Sequence, residues 1–319
     1  MAMDGPIATV EAGRGKHADY WVRITTRSAR HPVRIPLHGY EYFRSAAGDV
    51  RNFCQVTVST TGEFSFALVK NSAAAPMRES GGAVGLDWGV ANIFTTDSGQ
   101  ILGQRLYTWL VERDRELTAL TVELQRRGIK PSESKRFRAF NSRIRAYVRN
   151  EIGRILNRLA RQDIREIVVE RLDFRHGGLS RRMNRIATRA GRGAVRAKLT
   201  SLTEATGITV TRVNPAHTSR ACSSCHYVDR RNRISQQRFA CRFCGRRLLA
   251  DINAARNVLG RSAVQGGWLP WSGNRVLAQL DRDFTTQWRC DPTRLRERPT
   301  RRGRSTATSP PAGSIAAPG

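Results

Sequence analysis

Acid is scarce in this chain, and lysine scarcer still. Against 55 Lys and Arg stand 26 Asp and Glu, a net charge of +29, and only five of the basic residues are lysines (Lys16, Lys70, Lys130, Lys135, Lys198). The preference for arginine over lysine is what GC-rich coding produces. The total excess still calls for a polyanion, which means nucleic acid or an anionic membrane. Long apolar runs are missing too. Nothing approaches the eighteen or so consecutive apolar residues that a spanning helix needs, and no apolar h-region opens the chain to argue for secretion. No membrane partner is expected, DNA or RNA is, and a cytoplasmic, nucleoid-associated location follows. Cysteine is sparse: four of the six fall in two pairs, and Cys54 and Cys290 stand alone. A disulfide framework needs secretion, so those two are expected as unpaired thiols. With 319 residues, 39% of them hydrophobic, the chain can hold one large or two medium domains.

The paired cysteines carry the most specific signal. Cys222-Ser-Ser-Cys225 is followed by fifteen residues and then Cys241-Arg-Phe-Cys244. Two CxxC knuckles at that spacing predict a closed four-cysteine site, in which thiolates fill all four positions of a tetrahedral Zn²⁺ and leave none open for catalysis. The rival reading, a redox CxxC pair, is disfavoured by the presence of two matched pairs. His217 and His226 border the first knuckle, but four cysteines suffice and neither is assigned to the metal. Arg220, Arg230, Arg231, Arg233, Arg238, Arg242, Arg246 and Arg247 decorate the finger, which suggests contact with nucleic acid.

Around the finger the hydrophobic pattern changes period. Residues 1–18 are Gly-rich and polar and are expected to be disordered. Residues 19–75 read as an antiparallel β module, with alternating runs at Tyr20–Ile24, Val33–Leu37, Gln55–Ser59 and Phe64–Val69 and a turn at Thr60–Glu63. A linker over 71–80 leads to a β-meander, with strands at Val84–Val90, Asn92–Asp97 and from Gln100. Leu106, Leu110, Leu117, Leu120 and Leu124, then Phe137, Phe140, Ile144, Val148, Ile152, Ile155 and Leu159, recur at helical spacing. The opposite face of the second helix carries Arg138, Arg145, Arg149, Arg154 and Arg158. Such a face is either solvated or in contact with a phosphate backbone. A strand ends at Glu170, a loop and helix lie between 177 and 206, another strand covers Ile208–Val213, and a helix begins at Asp251. The chain from 261 to 319 is expected to be low in complexity and largely disordered.

Three acids occupy telling places in that order. Asp87 lies in the first meander strand, Glu170 ends a later strand and Asp251 opens the last helix; they stand 83 and 81 residues apart. Each has an ordinary reading: a bulge residue before glycine, a solvated strand end, a helix N-cap. Jointly, the order strands, helices, strand, helix, strand, helix is what a ribonuclease H-like nuclease needs, because only a fold could unite the three. Phosphodiester hydrolysis at a two-metal site uses Mg²⁺ or Mn²⁺ ions about 3.5–4 Å apart, held by hard oxygen ligands. Without cations, three clustered carboxylates repel one another.

These motifs resemble a known family. Gly85-Leu86-Asp87-Trp88-Gly89-Val90, with Thr95-Thr96-Asp97-Ser98-Gly99, resembles the first RuvC motif of the TnpB family. Val168-Val169-Glu170-Arg171-Leu172 resembles the second. Leu179–Asn184 and Val213–Ser219 are similar to segments leading into the finger, and Ala250–Asn257 resembles the third motif. TnpB proteins are the OrfB-type accessory proteins of insertion sequences, long described as transposases, and relatives of type V CRISPR effectors. The resemblance covers Ile35 to Leu259 and implies an α/β, RNase H-like (RuvC) nuclease core over 82–260. That core would hold a helical insertion at 103–162 and a zinc ribbon at 219–248, preceded by part of an antiparallel β-barrel, the wedge. It implies Asp87, Glu170 and Asp251 as ligands of Mg²⁺ or Mn²⁺, and Cys222, Cys225, Cys241 and Cys244 as ligands of structural Zn²⁺. DNA and a guide RNA are the implied partners, with a transposase of the same element as a further one. Only 86 residues precede Asp87, and they resemble the latter half of the wedge, so the family's helical recognition domain is expected to be absent. The expected activity is RNA-guided DNA endonuclease; the alternative is a shortened, non-cleaving nucleic-acid binder.

Overall fold

The computed structural model describes residues 8–13, 17–28, 30–59, 62–89, 92–171 and 192–297. The Leu179–Asn184 motif lies outside them. The chain divides into two units, Met1–Pro76 and Met77–Gly319.

The first unit is a five-stranded antiparallel sheet of β1 (Ala8–Ala12), β2 (Tyr20–Ile24), β3 (Val33–Leu37), β4 (Asp49–Val58) and β5 (Phe64–Asn71), in the order β3-β2-β1-β4-β5. A short helix, α1 (Glu41–Ser45), joins β3 to β4. The expectation of disorder over 1–18 is corrected at 8–12: β1 is the central strand, and Ala8 and Val10 are buried with Val22, Cys54 and Val56. Its side chains are small and it borders a Gly-rich stretch, so its alternation is short and weak. β4 and β5 form the expected hairpin, from Val58 opposite Phe64 out to Asp49 opposite Asn71.

The second unit is built on β6 (Gly82–Asp87), β7 (Phe94–Thr96), β8 (Ile101–Leu102), β9 (Ile164–Glu170) and β10 (Thr209–Val213). Their order is β10-β9-β6-β7-β8; β6 to β8 are antiparallel, while β9 and β10 run parallel to β6. Parallel neighbours need crossovers, which helices supply. α2 (Gln104–Arg126) and α3 (Lys135–Ala160) fill the long one, and α4 (Arg192–Thr206) the short one. The predicted leucine stripe of α2 and the isoleucines of α3 are buried against Leu86, Phe94, Ile167 and Val169 on one face of the sheet. Ser134 caps α3 by accepting a bond from the Phe137 amide.

Strand parity settles what the other face carries. Val84 and Leu86 join the large core, so Gly85 and Asp87 point the opposite way, as do Val168 and Glu170 on β9. Val168 packs there with Val213 and with Val258 of α5 (Ala250–Ser262). Gly85 allows the helix in: a Cβ at that position would lie 2.4 Å from the Ala255 carbonyl oxygen and 2.7 Å from Leu259 Cβ. Both strand-end acids thus lie on the face that α5 covers.

The expectation of a largely disordered 261–319 is also corrected over 261–297, the part of that range among the described residues. A turn at Gln265–Trp268, α6 (Gly273–Trp288) and α7 (Pro292–Glu297) are folded. Val276 and Leu280 pack with Ala221, Val228 and Trp268, while Phe284 joins the cysteine cluster. Trp268 and Trp271 belong to a tight turn in which their rings stack, centroids 5.5 Å apart.

Candidate metal centres

The cysteine site is made by two knuckles of the same backbone form. The Cys222 amide donates to the Tyr227 carbonyl at 3.0 Å and the Cys241 amide to Arg246 at 2.9 Å; the His226 amide donates back to Cys222 and the Gly245 amide to Cys241. The residue after the second cysteine is left-handed in both, Gly245 at φ +75° and His226 at φ +62°. The second knuckle is flanked by β11 (Arg238–Ala240) and β12 (Arg247–Leu249), an antiparallel pair. Asn232, fully buried, donates to the Arg220 and Tyr227 carbonyls and accepts from the Arg242 amide, which ties knuckle to knuckle.

The four sulfurs lie within 4.8 Å of one another, with Cys222 to Cys244 at 3.7 Å and Cys225 to Cys241 at 3.5 Å. Those separations are far beyond a disulfide bond. They are near the edge of a tetrahedron with metal–sulfur bonds of about 2.3 Å, which is about 3.8 Å. Hydrogen bonds from Cys225 and Cys241 hold the Cys222 thiol far below its ordinary range, and the same sharing pushes Cys225 far up. A cation relieves that competition, so the cluster fits a tetrahedral metal such as zinc. His217 and His226 are not part of the four-residue cluster.

The acids meet at the far end of β6 and β9. A cleft of about 280 Å³ is lined by Asp87, Glu170 and Asp251, with Trp88, Thr218, Arg233 and Gln236 among its walls. Leu86 pairs with Val169 in parallel register, which places Asp87 and Glu170 one step further at neighbouring strand ends. Asp251 is not the cap of α5. Leu249 holds that position without a side-chain bond, and Asp251 sits in the first turn, where the helix dipole favours an anion. Its carboxylate accepts from Asn92 Nδ2 at 3.1 Å and faces Arg233 at 3.9 Å.

Burial pushes Asp87 well above the usual carboxylate range, the charges of Glu170 and Asp251 push the same way, and Arg233 opposes them. Burial also raises Glu170, against a hydrogen bond from Thr218 and the charge of Arg261. Mutually repelling, part-desolvated carboxylate oxygens are a hard-ligand set of the kind that Mg²⁺ or Mn²⁺ takes.

Several contributors were not legible beforehand. Thr218 Oγ1 donates to Glu170 at 2.5 Å. Asn253 accepts from the Ser223 amide and donates to the Ala221 carbonyl, and Asn257 donates to the carbonyls of Thr218 and Ala221. A pair of asparagines at i and i+4 on one helix face, just past a knuckle, was the available signal.

The class so defined is an α/β protein with three acids converging at its strand ends and, inserted beside them, a four-cysteine ribbon that could hold a metal. Residues 193–258 match the family model of the Cas12f1-like TNB domain. Over 281 residues the chain is 26% identical to the putative RNA-guided DNA endonuclease InsQ of Escherichia coli K12, covering 79% of this chain and 67% of InsQ. Over 55 residues it is 49% identical to the CRISPR-associated endodeoxyribonuclease Cas12f1 of Sulfoacidibacillus thermotolerans, covering 17% of this chain and 13% of that protein. Among solved structures, the Cas12f1–sgRNA–target DNA complex aligns at TM-score 0.37 and 15% identity, over 66% of this chain and 65% of that one. The chain is thus similar to InsQ over most of its length and to Cas12f1 over a shorter segment.

Proposed function

We propose that this chain is an RNA-guided DNA endonuclease of the TnpB type, with a RuvC active site at Asp87, Glu170 and Asp251. The observation that carries the reading is the convergence of those three acids, 83 and 81 residues apart in sequence, in one cleft. The sheet order supports a ribonuclease H-like core: an antiparallel meander extended on the side of its first strand by two parallel strands. Two Mg²⁺ or Mn²⁺ ions held by these carboxylates would supply a nucleophilic water at neutral pH and charge stabilisation for the leaving 3′ oxygen. The protein's own part is to fix the acids on three separate elements and to hold a scissile phosphate between them. Arg233, reaching from the ribbon into the cleft, faces the position of a phosphate's negative charge. Zn²⁺ at Cys222, Cys225, Cys241 and Cys244 would be structural.

The first unit is read as a wedge-like module and the docking point of a guide RNA. The arginine excess serves RNA and DNA backbones, a transposase of the same element is a further partner, and the protein works at the nucleoid. The test is purification with co-bound nucleic acid, followed by Mg²⁺-dependent cleavage of DNA matched to the bound RNA. Cleavage is expected from the wild type and lost in Asp87→Ala. Equal cleavage by both would sink the reading, and binding without any wild-type cleavage would favour the non-cleaving alternative.

A further inference from the structure

We propose that Arg261 is a positioning residue for Glu170, acting through the 214–218 loop and held in place by the Trp268–Trp271 turn. The inference rests on the nuclease reading above. Arg261 is buried in the last turn of α5, the helix whose first turn carries Asp251. Its guanidinium donates to the carbonyls of Asn214 and Ala216, where the chain leaves β10 for the ribbon. An arginine fork can span two acceptors at once, which a lysine ammonium cannot do in a fixed geometry.

The loop so held is closed on both sides. Asn214 accepts from the Ala216 amide through Oδ1 and donates through Nδ2 to the carbonyls of Trp268 (2.9 Å) and Trp271 (2.8 Å). The Trp268 ring lies over the guanidinium at 5.4 Å, a cation–π contact that covers the buried charge. Two residues past Ala216, Thr218 donates its hydroxyl to Glu170. The same hydroxyl lies 2.9 Å from the Pro215 carbonyl of the loop. With one proton to give it favours the nearer, charged carboxylate, so the loop's placement of Thr218 decides where Glu170 is held. One helix therefore sets two acids: Asp251 directly, and Glu170 through Arg261, the loop and Thr218. This gives the C-terminal segment beyond the third motif a task, because it supplies the turn that closes the network.

The test is a double-mutant cycle on the full chain with its bound nucleic acid. Thr218→Val, Arg261→Gln and the double variant are read by single-turnover cleavage and by the Mn²⁺ concentration for half-maximal rate. Melting temperature and zinc content are followed alongside. Losing a hydrogen bond to a charged group predicts a rate loss of about tenfold to a hundredfold for Thr218→Val, with a higher Mn²⁺ requirement. Arg261→Gln is expected to reproduce that signature, the double variant to be no worse than the poorer single, and Thr218→Ser to restore the rate. Losses that multiply in the double variant, or wild-type cleavage by Arg261→Gln, would overturn the proposal. If Arg261→Gln does not fold, Arg261→Lys takes its place in the cycle, with the same outcomes decisive. Mn²⁺ bound in excess of an Asp87→Ala control, followed by electron paramagnetic resonance, separates the two readings. A wild type that neither cleaves nor binds that Mn²⁺ ends the nuclease reading and this proposal with it; one that does both leaves the cycle to decide.

Discussion

Replacing Gly85 with alanine tests the architecture with one methyl group. The new Cβ would sit 2.4 Å from the Ala255 carbonyl oxygen, 2.7 Å from Leu259 Cβ and 2.9 Å from the Leu259 amide nitrogen. Two of those three are backbone atoms, so no flexible side chain can swing away. Ordinary contact begins near 3.4 Å, so α5 must retreat by about 1 Å or β6 must bend. Overpacking of this kind costs about 1–3 kcal/mol. In a unit of this size each kcal/mol shifts the melting temperature by roughly 2–4 °C, so a fall of roughly 2–12 °C is expected. The catalytic effect should exceed what that loss implies, because α5 carries Asp251. A misplacement of about 1 Å between reacting groups can cost about a hundredfold in rate. The assay is calorimetry beside Mg²⁺-dependent cleavage at a temperature where the variant is fully folded. A Gly85→Ala chain that melts within about 1 °C of wild type and cleaves as well would refute the reasoning, since α5 would then not be pinned to β6 at this point.

Three further outcomes follow. Cys241→Ser should lower bound zinc and melt the ribbon early, and a strong chelator should do the same to the wild type; unchanged metal content and melting would remove the tetrahedral site. His226 is exposed and left-handed at φ +62° where the matching knuckle has Gly245, so His226→Gly should be neutral to about 1 kcal/mol stabilising, relief of strain being offset by glycine's entropy; a loss above about 1 kcal/mol in thermal unfolding would contradict this. Burial and neighbouring acids raise Asp87 in the folded state, so its contribution is fully present below the unfolded carboxylate pKa and is lost as pH rises through the raised one. Metal-free protein should therefore lose stability from about pH 4 upward, Asp87→Asn should flatten that fall, and Mg²⁺ should reverse it; a flat pH–stability curve for the metal-free wild type would count against the acid cluster.

Where side-chain period alone decides an element, the sequence was legible. The stripes of α2 and α3, the meander and the order of strands around Asp87 and Glu170 all follow from it. β1 escaped because Ala8-Thr9-Val10-Glu11-Ala12 buries only two small side chains, and its importance comes from position in the sheet, which no local pattern encodes. The helices after 261 escaped for a related reason. Their apolar residues are few, and they pack against the cysteine knuckles and not against the large core. Asp251 was placed at the right helix start for an incomplete reason: the competing N-cap role is ruled out only by seeing Leu249 in that position.

The acid cleft and the cysteine cluster are mechanically one object. The Ala250 amide, at the start of α5, donates to the Gln237 carbonyl of the ribbon, and Asn253 and Asn257 bind the first knuckle and its approach. Asp251 lies between those anchors, and Arg233 of the ribbon faces it across the cleft. Small residues at Ala254 and Ala255 bring the other side of the same turns onto β6. A ribbon that lost its fold would therefore free the first turn of α5, although no cysteine touches the cleft. The spacing of Asp, Asn, Ala-Ala and Asn along one helix is thus a wiring pattern: one face to the sheet, one to the ribbon, and the acid where the two meet.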